Sequence, residues 1–196
     1  MVAIDPGEVI VRHILVAAVA ATSLATPVLA AERPGEAAFR TLYKELVETN
    51  TTHSTGDCTL AATRMAARLK AAGFADAELN VFVPEGLPLD GGLIATFAGS
   101  DAKLGTVMLL AHLDVVEAKR ADWTRDPFTL IEEDGWFYAR GAADDKAQAA
   151  IWTDAMARLK AAGVKPKRTI KLLLSCGEES GARINNVRWL IDKHPN

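Results

Sequence analysis

The chain has 196 residues, 49% hydrophobic and 24% charged, with a formal net charge of -3. That composition excludes a disordered tail and a polytopic membrane protein, and it fits one globular domain around a single core. Acidic and basic residues are mixed along the chain, so there is no basic stripe to neutralise phosphates; a small molecule is the expected partner, not nucleic acid.

The first feature in chain order is an apolar run at residues 14–21, preceded by Arg12 and His13 and followed by Pro27, Val28, Leu29 and Ala30. Small or compact residues thus stand where a signal peptidase reads, and residues 1–30 are expected to be a signal peptide, cleaved after Ala30. Asp5 and Glu8 are atypical of such a segment. The run is shorter than the roughly 20 apolar residues of a membrane span. The expected location is therefore periplasmic or secreted, with no stable membrane anchor.

Residues 36–48 carry Ala38, Leu42 and Leu46 at four-residue spacing with Phe39 beside them, which predicts a helix with one apolar stripe. A second helix should start at an Asp57 N-cap, turn Leu60, Ala61, Met65, Leu69 and Ala72 inward, and stop at Gly73. Extended segments follow at 78–83, 93–98 and 106–111, the last a continuous apolar run of the kind buried on both faces of a sheet. A hairpin is expected over 128–139 with Asp134-Gly135 as its turn. A long helix should cover 146–162, with Ala147, Ile151, Ala155 and Leu159 on its inner face and Gly163 closing it. Another apolar strand at 169–175 and a short helix at 187–191 complete the pattern. Strands alternating with helices predict an α/β sheet with helices on its faces. The only cysteines are Cys58 and Cys176. Cys176 ends an apolar run and reads as a buried small hydrophobe in preference to a disulfide partner.

In an open α/β sheet the binding crevice lies beyond the carboxyl ends of the strands, so polar residues that directly follow an apolar strand are read separately. Strand 106–111 delivers His112-Leu113-Asp114, and strand 169–175 delivers Cys176-Gly177-Glu178-Glu179. His112 with Asp114 suits a metal site, because one imidazole nitrogen binds the ion while the other gives its proton to a carboxylate. The same pair is also an ordinary hydrogen-bonded couple. Asp144-Asp145 precedes the long helix, where capping and the helix dipole alone favour acids. The alternative is that one of these carboxylates is held free to bridge two cations. Glu178-Glu179 places two like charges after a buried strand, which calls for solvent or a cation to compensate them.

Taken together, residues 111–116, 139–146 and 176–179 resemble the three N-terminal motifs of the zinc exopeptidase family that includes glutamate carboxypeptidase, carnosinase-type dipeptidases, aminoacylase and succinyl-diaminopimelate desuccinylase. Trp123 to Phe128 is similar to a segment common between the first two motifs. The resemblance implies a mixed, mostly parallel α/β sheet with helices on both faces. Residues 31–196 would be the N-terminal part of a zinc-peptidase-like catalytic domain, incomplete at the C-terminus and without the dimerisation domain.

The resemblance further implies two zinc ions, one on His112 and one on Glu179, with Asp144 bridging, Asp114 orienting His112, and Glu178 as general base. It implies a small peptide or N-acyl amino acid as substrate, and a homodimer only for the complete enzyme. Each ion has a further ligand in the family that has no counterpart here, so weak zinc binding and impaired hydrolysis are expected of this chain. An N-acyl amino acid deacylase or desuccinylase, or a catalytically silent fragment, are the other readings. A nucleotide-binding domain is disfavoured, because the loops after the strands carry acids where a phosphate needs Gly-rich backbone donors.

Overall fold

The computed structural model describes residues 33–179 and 184–193; the expected signal peptide lies outside them. The elements run α1 (Glu36–Val47), α2 (Cys58–Ala71), β1 (Leu79–Phe82), β2 (Gly92–Phe97), β3 (Thr106–His112), β4 (Ile131–Glu133), β5 (Trp136–Tyr138), α3 (Lys146–Ala161), β6 (Thr169–Ser175) and α4 (Asn186–Lys193). Asp57 caps α2 as expected, its side chain accepting from the Leu60 N–H. The hairpin β4–β5 turns at Asp134 and Gly135, both at positive φ. No helix of the described residues is long and apolar enough to cross a membrane.

The main sheet has the order β1-β2-β6-β3. It is mixed, as expected, but among the described residues it is not mostly parallel: β1–β2 and β2–β6 pair antiparallel, and β3–β6 pairs parallel. The reason is local. Residues 83–91 bring the chain back beside β1 as β2, whereas β3 and β6 are linked through α3, and such a crossover delivers parallel strands. Leu93, Ala95, Leu172 and Leu174 point into one core with Leu46 of α1, Met65 and Leu69 of α2 and Met156 of α3. Each such large side chain contributes about 1.5–3 kcal/mol through burial. On the opposite face Trp189 of α4 stacks on Phe82 of β1, with ring centroids 5.8 Å apart, so helices do cover both faces.

Some expectations about burial fail. β3 is an edge strand among the described residues, and Val107, Met108 and Leu110 are exposed instead of buried on both faces. The buried face of α3 is Lys146, Ala149, Ala150, Thr153 and Met156, while Ile151 and Leu159 face solvent. Helical spacing fits both faces equally. Small residues let α3 approach α1 and β3 closely, and that closeness decides the matter. In α2, Leu60 is exposed and Cys58, Ala62 and Ala66 take its place.

Cys176 is buried as expected, but it is not free. It forms a disulfide with Cys58, with 6.2 Å between the Cα atoms. The bond ties the first residue of α2 to the end of β6 across a sequence separation of 118. Closing a loop of that length restricts the unfolded chain and stabilises the fold by about 3–5 kcal/mol. Replacing both cysteines by alanine should therefore lower the melting temperature by about 10 °C in calorimetry, and an unchanged melting temperature would show that the bond is dispensable.

Candidate metal centre

The parallel register of β3 with β6 sets the site. His112 lies opposite Ser175, so the two strands end level and their polar continuations emerge at the same sheet edge. The Leu113 N–H donates to the Ser175 carbonyl at 2.8 Å, which carries the pairing one residue further. Gly177 then turns the β6 continuation with φ +86; a Cβ there would lie 1.6 Å from the Ile184 carbonyl oxygen, so only glycine passes. That turn presents Glu178 and Glu179 to His112.

Asp114 is the hub of the arrangement and is only 3% exposed. Its Oδ1 accepts from the Glu178 N–H at 3.2 Å and its Oδ2 from the Glu179 N–H at 2.9 Å. The His112 Nδ1 lies 3.1 Å from the Asp114 carbonyl oxygen and 3.6 Å from its carboxylate. Surrounded by acceptors, Nδ1 keeps its proton, and Nε2 faces the crevice. There Nε2 is 3.1 Å from Asp144 Oδ1 and 3.8 Å from Glu178 Oε2. Single donor atoms of His112, Glu178 and Glu179 all lie within 4.8 Å of one another. All five expected site residues thus converge. Asp144 stands at the exposed side, against His112, and Asp145 follows a cis peptide and accepts from the His112 backbone N–H at 3.3 Å.

The electrostatics fit a cation. Burial works against a charged His112, but the carboxylate and carbonyl of Asp114, with Asp145, outweigh it and push the imidazole up to about 9. Burial also raises Asp114, yet its bonds to His112, Glu179 and Glu178 prevail and hold it below the usual carboxylate range. Glu179 is pushed up, first by burial and then by the charge of Asp144. Asp145 is pushed up by burial as well. Crowded carboxylates around an imidazole, with no thiolate, are the oxygen and nitrogen donor set that zinc accepts.

Sequence reasoning missed two supports. Tyr43 of α1 donates its hydroxyl to the Ala142 carbonyl at 2.5 Å, fixing the loop before Asp144. Lys146 is fully buried, and its amine donates to the Thr49 carbonyl at 2.6 Å. Burial pushes this amine down to about 7 against the pull of Asp114. Neither was legible in periodicity, although Lys146 falls on the same helical line as Ala149, Ala150 and Thr153.

Replacing Asp114 by asparagine would set an amide NH2 against a backbone N–H and loosen the Glu178-Glu179 turn. Zinc affinity should fall about 10- to 100-fold, and titration calorimetry showing wild-type affinity would remove Asp114 from its place as hub.

The sequence pattern of peptidase family M20/M25/M40 matches residues 108–196. The beta-Ala-Xaa dipeptidase of Lactobacillus delbrueckii subsp. lactis is 44% identical over 85 residues, which is 43% of this chain and 17% of that protein. Human aminoacylase-1 is 35% identical over 89 residues, 45% of this chain and 22% of that protein. The crystal structure of human carnosine dipeptidase 1 superposes with a TM-score of 0.65 at 27% identity, covering 82% of this chain and 36% of that one. The chain thus spans about a fifth of the length of the curated relatives it matches.

Proposed function

We propose, on the match of residues 108–196 to the pattern of peptidase family M20/M25/M40, that this protein hydrolyses an amide bond of a small peptide at a two-zinc centre. The observation that carries this reading is the convergence of His112, Asp144, Glu178 and Glu179 at the ends of β3 and the β6 continuation. His112 and Glu179 would each hold one ion, with Asp144, whose Oδ1 lies 3.1 Å from His112 Nε2, as the ligand they would share. When bound, zinc supplies Lewis acidity toward the scissile carbonyl and acidifies water. Asp114 keeps the His112 Nδ1 protonated, so Nε2 remains the ligand atom. Glu178 takes a proton from the attacking water and returns it to the leaving amine, a role open to the carboxylate that is not a ligand.

Two similarities inform the substrate. The relative named as a beta-Ala-Xaa dipeptidase supports a dipeptide, and aminoacylase-1 supports an N-acyl amino acid as the second reading. The disulfide suits an oxidising compartment and, with the apolar run at residues 14–21, supports a periplasmic or secreted location. The test is hydrolysis of β-alanyl dipeptides and N-acetyl amino acids by the purified zinc-loaded protein, with and without a chelator. Chelator-sensitive release of amino acid from the dipeptides is the expected result. Turnover of the N-acetyl compounds alone would favour the deacylase, and no turnover of either with zinc bound would leave a silent binding protein.

A further inference from the structure

Lys146 stands two residues after Asp144, yet it points away from the crevice into the body of the fold. Its amine meets the Thr49 carbonyl at 2.6 Å and the Val47 carbonyl at 3.5 Å, at the carboxyl end of α1. Helix ends leave such carbonyls without intrahelical partners, and a donor there meets the negative end of the helix dipole. Segment 49–52 continues directly from that cap to the first motif. The Thr51 hydroxyl donates to the Leu113 carbonyl at 2.6 Å, and the Thr51 carbonyl accepts from the Val115 N–H at 3.3 Å. The stem of Lys146 also underlies the loop before Asp144. Gly141, at φ +73, sits where a Cβ would be 3.4 Å from Lys146 Cδ and 2.5 Å from Val115 Cγ1. One side chain therefore lies beside the loop that carries Asp144 and is joined, through segment 49–52, to the turn that carries His112 and Asp114.

We infer that Lys146 is a positioning residue for the metal centre, its amine capping α1 and thereby setting the spacing between His112 and Asp144. The role does not turn on its charge, since either protonation state of the amine donates the N–H that the Thr49 carbonyl accepts. The inference rests on the reading that these residues bind metal. It is tested on the full chain with Co2+ alone, read by its visible absorption and by titration calorimetry, beside the melting temperature of the metal-free protein. Lys146→Met keeps the stem and removes the donor; the Thr49 carbonyl it leaves without that bond lowers stability.

The expected result is Co2+ affinity lower by about 10-fold or more and an altered absorption spectrum, in a variant that still melts cooperatively, within about 10 °C of wild type. Wild-type affinity and spectrum in a folded Lys146→Met overturn the inference. If that variant does not fold, Thr51→Val, which severs segment 49–52 from the Leu113 carbonyl, carries the same expectation, and unchanged Co2+ binding there overturns it equally. A wild-type protein that takes up no Co2+ would instead sink the metal-centre reading, and this inference with it.

Discussion

Replacing Glu178 by glutamine is expected to lower the rate of amide hydrolysis by about 10²- to 10⁴-fold while zinc still binds. Glutamine keeps the shape of the side chain and its backbone bond to Asp114, but it has no basic oxygen to take a proton from water. The environments of the two glutamates support the division of labour. The Glu178 side chain is 61% exposed beside His112 Nε2 and free to exchange protons with water. Glu179 is more enclosed and pushed up by burial and by Asp144, a strain that a bound cation relieves. Glu179→Gln should therefore lose metal, which Glu178→Gln should not. Because Glu178 also lies among the donor atoms gathered within 4.8 Å, the contrary pattern, metal lost with Glu178→Gln and kept with Glu179→Gln, would exchange the two roles.

The second large effect is on pH. His112 ordinarily titrates at 6.5 and is pushed up to about 9 in the metal-free fold. Its proton stabilises the metal-free protein; that stability is fully present below pH 6.5 and is lost as pH rises through about 9. Metal binding runs the other way, because an ion must displace the Nε2 proton. Apparent zinc affinity should climb about ten-fold per pH unit as pH rises towards about 9 and flatten above it. Glu179, also pushed up, steepens the dependence on the acid side. Calorimetry in buffers of different ionisation enthalpy should detect about one proton released per His112-bound ion at neutral pH, and none in His112→Ala. Zinc affinity independent of pH across this range would mean that His112 is not a ligand.

Much of the site was legible because its residues interrupt apolar strands. β3 reads from a continuous apolar run and β6 from Ile170, Leu172, Leu173 and Leu174 around Lys171, and whatever follows such a run is held at the sheet edge by the strand itself. The intervening helix implies that β3 and β6 run parallel, but the register that brings His112 level with Ser175 is visible only in the fold. What failed depended on distance in space. Periodicity offered two faces for α3, and only packing against α1 and β3 selects the one with Lys146 and Ala149. β3 reads as doubly buried because composition reports an affinity for apolar neighbours, not whether both faces are covered: Leu109 and Ala111 pack with the core, whereas Met108 and Leu110 on the other face are exposed. Cys58 and Cys176 are 118 residues apart, and their meeting is a property of the way α2 abuts β6. Lys146 escaped notice because a lysine at a helix start is normally solvated; its burial follows from the carbonyls that α1 leaves open.

The most direct test of the metal centre is diffraction from zinc-soaked crystals on both sides of the zinc absorption edge. A two-zinc centre predicts two anomalous peaks in the crevice, one against His112 Nε2 and the other against the Glu179 carboxylate, with Asp144 touching both. Crystals saturated with zinc that show no anomalous density between these three side chains would contradict it.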